Sequence, residues 1–316
     1  MKKTKLLKVL LIPTIGISAM GTVATITTSC GGDKPTTFND VVNVTANADS
    51  TFALINEGEN NPDLQYSLNG KEWKAYSDEI NIAKNQTLFL KGNNPNGWSF
   101  SFNKCSGLLI TGNVSISGNV MGLLDNGAKD GDAGNITDIP NENCFDSLFF
   151  NSPGITSVSR DFLPATKLAK HCYHDMFFNC TSLTQAPALP ATFLSEGCYE
   201  SMFQGCTSLV NAPALPATKL EEACYSGMFG RCTSLTKSPD LPATTLAEHC
   251  YSYMFYNCTS LTSIKIGYTG SVGEAPSYSF YDWVYGIASK GTFYYKGVDN
   301  VINFGFPEGW NIDPNW

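Results

Sequence analysis

The sequence predicts an α+β solenoid of 26-residue units, with an N-terminal all-β, sandwich-like domain before it and a C-terminal β cap after it. Three observations carry that reading. The phrase CYHDMFFNCTSL at Cys172 returns as CYESMFQGCTSL, CYSGMFGRCTSL and CYSYMFYNCTSL at Cys198, Cys224 and Cys250, each 26 residues on. A fixed period in the range of 20–50 residues marks a stacked array. Within one copy Leu194, Cys198 and Met202 are spaced by four, and Tyr199 and Phe203 repeat that spacing one residue on. This is the pattern of one apolar helix face. Ahead of the array, short alternating segments separated by turn residues read as strands.

The chain opens MKKTKLLKVLLIPTIGISAMGTVATITTSC, a basic head, an apolar run and small residues ahead of Cys30. Residues 1–29 read as an export signal, and residues 30–40 as a short tether. Residues 41–120 read as the β domain. VVNVTANADSTFALI alternates, and Tyr66 to Trp73 holds Asn69-Gly70, the dipeptide of a type I′ hairpin turn. Ile80 to Lys91 reads as a strand, and Leu108 to Val120 as two strands about Gly112-Asn113. Trp73, Tyr76 and Trp98 are candidates for a sugar-stacking platform or for ordinary packing. Residues 121–143 read as a polar connector. Its Asp130 and Asp132 have calcium-loop spacing, but Asn141 stands where the bidentate Glu is required, which leaves a solvated loop.

Residues 144–267 form the array. Its first copy is degenerate, with Leu148 for Met and Ser152 for the second Cys, as expected of a terminal repeat. Thr192 suits a helix N-cap, and Thr218 with Glu221 makes a capping-box pattern. Leu189-Pro190 must be extended, and Thr207 to Val210 reads as a brief strand stopped by Pro213. After Leu261 the Pro is lost, and Ile264 and Ile266 suggest an exit strand. Residues 268–316, rich in Tyr, Phe and Trp, read as a cap over the last unit, with a strand at Thr292 to Lys296.

Charge narrows the partners. Removing residues 1–29 takes away four lysines and no acids, leaving 16 basic against 28 acidic residues, a balance of −12. That disfavours nucleic acid, which calls for basic patches. Eight of the 11 cysteines belong to the repeat: Cys172, Cys180, Cys198, Cys206, Cys224, Cys232, Cys250 and Cys258. Seven residues between the members of a pair is the wrong spacing for a zinc loop. On a helix it is also too long for a disulfide. A buried ladder of thiols is expected instead, with no metal and no cofactor.

The phrases CYxxMFxxCTSLT and LPATxL over Cys144–Ile266 resemble the BspA-type leucine-rich repeats of bacterial surface proteins. The resemblance extends loosely to Ser117–Met121 and to Gly291–Tyr295. It implies a right-handed leucine-rich-repeat solenoid, surface display and, in some relatives, binding of host proteins or cells. The period of 26 is longer than the family's usual unit. Thr28, Ser29 and Cys30 resemble a bacterial lipoprotein signal of the mollicute kind, with Thr27 where Leu is usual. That resemblance implies lipidation of Cys30 and anchoring on the extracellular face of the cell membrane.

Catalytic constellations are scarce. His171-Cys172, His174 and His249-Cys250 are the candidate Cys–His pairs, but other copies carry Gly197, Ala223, Glu200, Ser226 and Ser252 at the matching places. Repeat-varying residues of this sort read as decoration, so no enzyme is expected. A thiol-dependent hydrolase is the remote alternative. What remains is a fixed interior with a varied exterior, a binding surface in form. Phe178, Tyr253, Tyr256, His174, Glu200 and Arg231 are the expected ligand contacts. The expected function is an adhesin-like, lipid-anchored surface protein that binds protein or glycan. The alternative is a structural, shielding surface protein without a specific ligand.

Overall fold

The computed structural model describes residues 39–56, 61–99, 106–124 and 137–315. The expected export signal, Cys30 and the Asp130/Asp132 loop lie outside the described residues. The described residues form one unit.

The first strands are β1 (Val42–Ala46), β2 (Ser50–Asn56), β3 (Gln65–Ser67), β4 (Lys74–Ala75), β5 (Ile80–Ile82), β6 (Thr87–Lys91), β7 (Ser106–Thr111), β8 (Val114–Gly118) and β9 (Ile155–Val158). One sheet runs β4-β3-β6-β1-β8-β9 and a second runs β5-β2-β7. Along the chain the strands cross repeatedly between the two sheets, except at β3–β4 and β8–β9, which stay in the first. The Ile80–Lys91 segment breaks at Asn85, with φ 66°, and its halves join different sheets. β7 and β8 likewise part at Gly112, with φ 88°, where a Cβ would stand 2.5 Å from Ser50 Oγ. Val44, Leu88, Leu90 and Ile116 from one sheet share a hydrophobic core with Phe52, Ile80 and Ile110 from the other.

One local expectation changes, and one pair of alternatives is decided. Gln65 pairs with Ala75 and Tyr66 with Lys74, so the hairpin loop is longer than two residues. Of Asn69 and Gly70 only Gly70 has positive φ, while Asn69 Oδ1 accepts from the amides of Lys71 and Glu72. Of the two alternatives for the aromatics, Trp98 and Tyr76 take ordinary packing. Trp98 is fully buried and donates its indole N–H to the Ser106 carbonyl at 2.8 Å. Tyr76 packs on Phe52 and its hydroxyl accepts from Leu54 N.

The larger correction concerns the repeats. The mixed α+β solenoid is not what forms. The structure is β-rich, and among the described residues the only helices are short 3-10 turns at Val120–Leu123, Val272–Glu274 and Ile302–Phe304. The supposed helix is a ribbon of consecutive four-residue turns. His171, Asp175 and Asn179 all have φ near +50°, and so do Ser201 and Gly197 in the next copy. One left-handed residue in every four interrupts the α conformation, yet it preserves the i, i+4 apolar spacing that a helix would show.

Hydrogen bonds explain the choice. Met176 N and Phe178 N donate back three residues, to Tyr173 O and Asp175 O. The alternate donors leave the copy altogether: Tyr173 N reaches Cys198 O, Asp175 N reaches Glu200 O, and Phe177 N reaches Met202 O, at 2.9–3.1 Å. Every copy thus supplies carbonyls to the one before it. Gly205, with φ 78°, sits where a Cβ would meet Asn179 Oδ1. Gly205→Ala is therefore expected to cost roughly 1–3 kcal/mol in thermal or denaturant unfolding, from left-handed strain plus the clash.

A second column of pairing runs along the strand side. Parallel contacts link Ser157, Gln185, Asn211 and Lys237 in turn, then β10 (Lys237–Leu241), β11 (Ser263–Ile266), β12 (Lys290–Tyr294) and β13 (Gly309–Asp313). The expected strand at Thr207 to Val210 is absent, because pairing falls at Asn211 instead. β11 is not an exit strand, since β12 and β13 continue the ladder. The column starts in the N-terminal sheet, where β8 pairs parallel with β9.

Inside the stack, like residues sit on like. Phe145, Tyr173, Tyr199, Tyr225 and Tyr251 stack at centroid separations of 5.8–6.2 Å. Phe149, Phe177, Phe203, Phe229 and Phe255 stack at 5.4–6.0 Å. The second cysteine of each copy has its own task. Cys180, Cys206, Cys232 and Cys258 donate to the carbonyls of Phe149, Phe177, Phe203 and Phe229 at 2.9–3.3 Å. Ser152, the serine in the degenerate copy, makes the corresponding bond to Leu108 O.

The nine described cysteines are free and buried. Burial pushes the thiols of Cys180, Cys198 and Cys258 up to about 12, and those of Cys172, Cys206, Cys224 and Cys232 well above the ordinary value. A buried, protonated thiol is a poor nucleophile. We expect these cysteines to resist maleimide in the native protein and to react together on unfolding. Mass spectrometry after a brief native pulse checks this, and rapid native labelling of Cys206 would contradict it.

Candidate binding surface

In each copy Cys, Tyr, Met and Phe of the ribbon point inward, and the two residues between each inward pair lie on the outer side of the ribbon, where Asp146, His174, Ser252 and Gly230 are covered by their neighbours. Stacking turns these outward positions into columns. One column reads Asp146, His174, Glu200, Ser226, Ser252 and Tyr281, and a parallel one reads Phe150, Phe178, Gln204, Gly230, Tyr256 and Tyr285.

Residues 276–287, read from sequence as cap, are a further turn of the stack. Tyr278, Asp282 and Gly286 carry positive φ. Ser277, Ser279, Tyr281, Trp283 and Tyr285 offer carbonyls to His249, Tyr251, Tyr253, Phe255 and Asn257. The offset is 29 rather than 26, and Ser279 and Ile287 stand where the cysteines would be, which hides the copy in the sequence. Beyond it, Phe304 and Phe306 close over Trp283, whose indole donates to Phe304 O at 2.8 Å.

This extra turn completes an aromatic surface. Tyr253, Tyr278, Tyr281 and Tyr285 are 40–60% exposed. Tyr278 stacks on His249 at 4.9 Å and Tyr285 on Tyr256 at 5.3 Å, while Tyr253 meets both Tyr256 and Tyr281 edge-on. Desolvation by its neighbours, then the hydrogen bond with Tyr281, raises the Tyr253 phenol above its ordinary value.

The six expected contacts divide between two ends. Tyr253 and Tyr256 come together in the aromatic surface, and Arg231 stands exposed at its margin, its amide donating to Tyr256 O. Phe178 is half-buried and stacks on Phe150 at 4.9 Å, several layers away. His174 is buried, its Nδ1 2.9 Å from Asp146 Oδ1, with Asp175 Oδ2 at 3.8 Å. Glu200 is half-buried beside His171, at 3.7 Å. His174 and Glu200 thus belong to an internal charged cluster, not to an open surface. Burial lowers His174, but the Asp146 hydrogen bond and the Asp175 charge outweigh it and raise the imidazole. Burial raises Asp175 to about 6 against the pull of His174, and raises Glu200 as well.

Tyr278, Tyr281 and Tyr285 escaped sequence reasoning, which assigned the C-terminal aromatics to capping, and His249 was weighed there only as a Cys–His partner. The left-handed positions were the available signal, since Asn, Asp, Gly and His recur every fourth residue. A separate depression of about 810 Å³ lies on the strand side, lined by Arg160, Gln185, Pro187, Asn211, Pro213 and Ala214. Among the described residues no group of His, Cys, Asp and Glu is placed to hold a metal, and no helix is long and apolar enough to cross a membrane. Compared with protein-family models, curated proteins and solved structures, the chain has no match.

Proposed function

We propose that the chain is a lipid-anchored cell-surface protein of the BspA-like kind that binds a host or neighbouring protein or glycan through the outer face of its stacked repeats. The observation that carries this reading is the exposed tyrosine surface on the last layers. Interior positions repeat almost without change, whereas the outward columns vary, and at one end they converge on contiguous, solvent-facing aromatics. Tyrosine supplies large contact area at low entropic cost and is enriched at interface hot spots. The resemblance of Thr28-Ser29-Cys30 to a lipoprotein signal supports display on the membrane.

Attachment of cells displaying the full-length chain to host cells or matrix is expected to fall roughly ten-fold or more with Tyr253→Ala/Tyr281→Ala. Phe193→Ala, at an 83% exposed aromatic on another face, should leave attachment unchanged. Equal attachment by all three proteins, or none by any, defeats the proposal and favours a shielding role. Cys30→Ala is expected to abolish incorporation of a fatty-acid label and release the protein to the medium.

A further inference from the structure

Resting on the reading of this end as a binding surface, we infer that its ligand is a basic polypeptide segment, seated on the tyrosines against the last turn of the ribbon. Three independent features of the site lead there.

The first is hydrogen-bonding polarity. In every earlier layer the alternate ribbon amides donate to carbonyls of the following copy. After the last layer no further ribbon copy follows, and the returning chain covers only its apolar side, with Phe304 and Phe306 over Trp283. The N–H groups of Tyr278, Asp282 and Gly286, all on exposed residues, find no acceptor among the described residues. A ligand that fits must bring carbonyl oxygens, as a polypeptide backbone does.

The second excludes a further copy of this chain. Two such ends face to face would oppose donors to donors. Head-to-tail stacking is obstructed as well, because the three central carbonyls of the first layer are already taken. Cys144 O accepts from Trp98 N and Ser99 N, Asp146 O from Ser99 Oγ, and Leu148 O from Leu108 N.

The third is charge. Glu222 and Glu248 are exposed on successive layers, Glu248 adjoining His249 in the chain, and Asp282 is exposed between Tyr281 and the end of the ribbon. None of the three makes an ion pair among the described residues, whereas Glu196, one layer below, is held by Lys170 at 2.6 Å. Arg231 at the margin is the opposing charge. Carboxylates interleaved with open tyrosine rings suit arginine and lysine side chains, which pair with the first and lie over the second.

The test is a titration of the purified full-length protein with fluorescent nona-arginine, nona-glutamate and an uncharged chitin oligosaccharide. Nona-arginine is expected to bind, weakening with salt, and nona-glutamate is not. Tyr281→Ala/Tyr285→Ala should weaken nona-arginine binding roughly ten- to thirty-fold without altering net charge. Tyr281→Phe/Tyr285→Phe, which keeps the rings, should retain most of the binding, and Glu222→Gln/Glu248→Gln should lose several-fold. Unfolding midpoints matching wild type would show that the alanine variant is folded. Equal binding of both peptides, or nona-arginine binding indifferent to the tyrosines, overturns the inference. Tyrosine-dependent binding of the oligosaccharide alone overturns it and leaves the broader binding function standing. Failure of every probe together with loss of cell attachment removes both.

Discussion

Phe203→Ala is expected to lower the free energy of unfolding by about 3–5 kcal/mol, the range for removing a fully buried aromatic. Phe203 is fully buried, midway along its column, stacked 5.6 Å from Phe177 and 5.8 Å from Phe229 with rings almost parallel. Its carbonyl accepts the Cys232 thiol and its amide donates to Met228 O. The cavity cannot collapse easily, because the layers on both sides are held in register by their own backbone bonds. Each lost ring contact adds about 0.5–1.5 kcal/mol beyond burial. Urea unfolding measures the effect, with Phe193→Ala as a reference expected to stay within about 0.5 kcal/mol. Similar midpoints for the two variants would mean that the aromatic columns do not hold the stack together.

Stability is expected to fall as pH rises from about 4.5 to 8, through the cluster at the N-terminal end of the stack. His174 has a folded pKa above its ordinary 6.5. Its contribution is therefore complete below that value and disappears as pH rises through the folded one. Asp175 is raised from 3.8 to about 6, so the fold holds a proton there that the unfolded chain releases. Stability from that proton declines between those two values, and the shift corresponds to on the order of 2–3 kcal/mol. Glu200 is raised and adds in the same direction. Glu196, lowered by Lys170, acts oppositely and at more acidic pH. The difference between wild type and Asp175→Asn isolates the acid. Urea midpoints at pH 4.5 and 8 should differ less in the variant, and a wild-type midpoint that rises over this range would refute the assignment. A His174→Gln variant, which keeps a hydrogen-bond donor beside Asp146, separates the imidazole's share.

The sequence showed the array, its period and which residues lie inside, because inward positions are chemically constrained and repeat. It did not show the ribbon. Cys198 and Met202, or Tyr199 and Phe203, are spaced by four in a helix and equally in a chain of four-residue turns. The discriminating residues were Gly197, Ser201 and Gly205, at the left-handed positions, and their counterparts His171, Asp175 and Asn179. Such residues tolerate positive φ at low cost. Ala223, Arg231, Tyr253 and Tyr278 occupy the same backbone region in other copies and obscure the signal. The binding surface was half legible for a similar reason. Tyr253 and Tyr256 lie in a recognisable copy, while Tyr278, Tyr281 and Tyr285 lie in one shifted by three residues and stripped of its cysteines.

Sequence alone therefore determined which side chains would stack, since a fixed period places like on like wherever copies pile up. The conformation of each copy was decided only by its neighbour. Alternate amides of the ribbon, such as those of Tyr173, Asp175 and Phe177, have no acceptor within their own copy and reach one only in the next. A helix would have satisfied those amides locally. The ribbon leaves them to the stack, so its geometry cannot be read from one copy, and at the last copy three amides on exposed residues remain open beside the tyrosines.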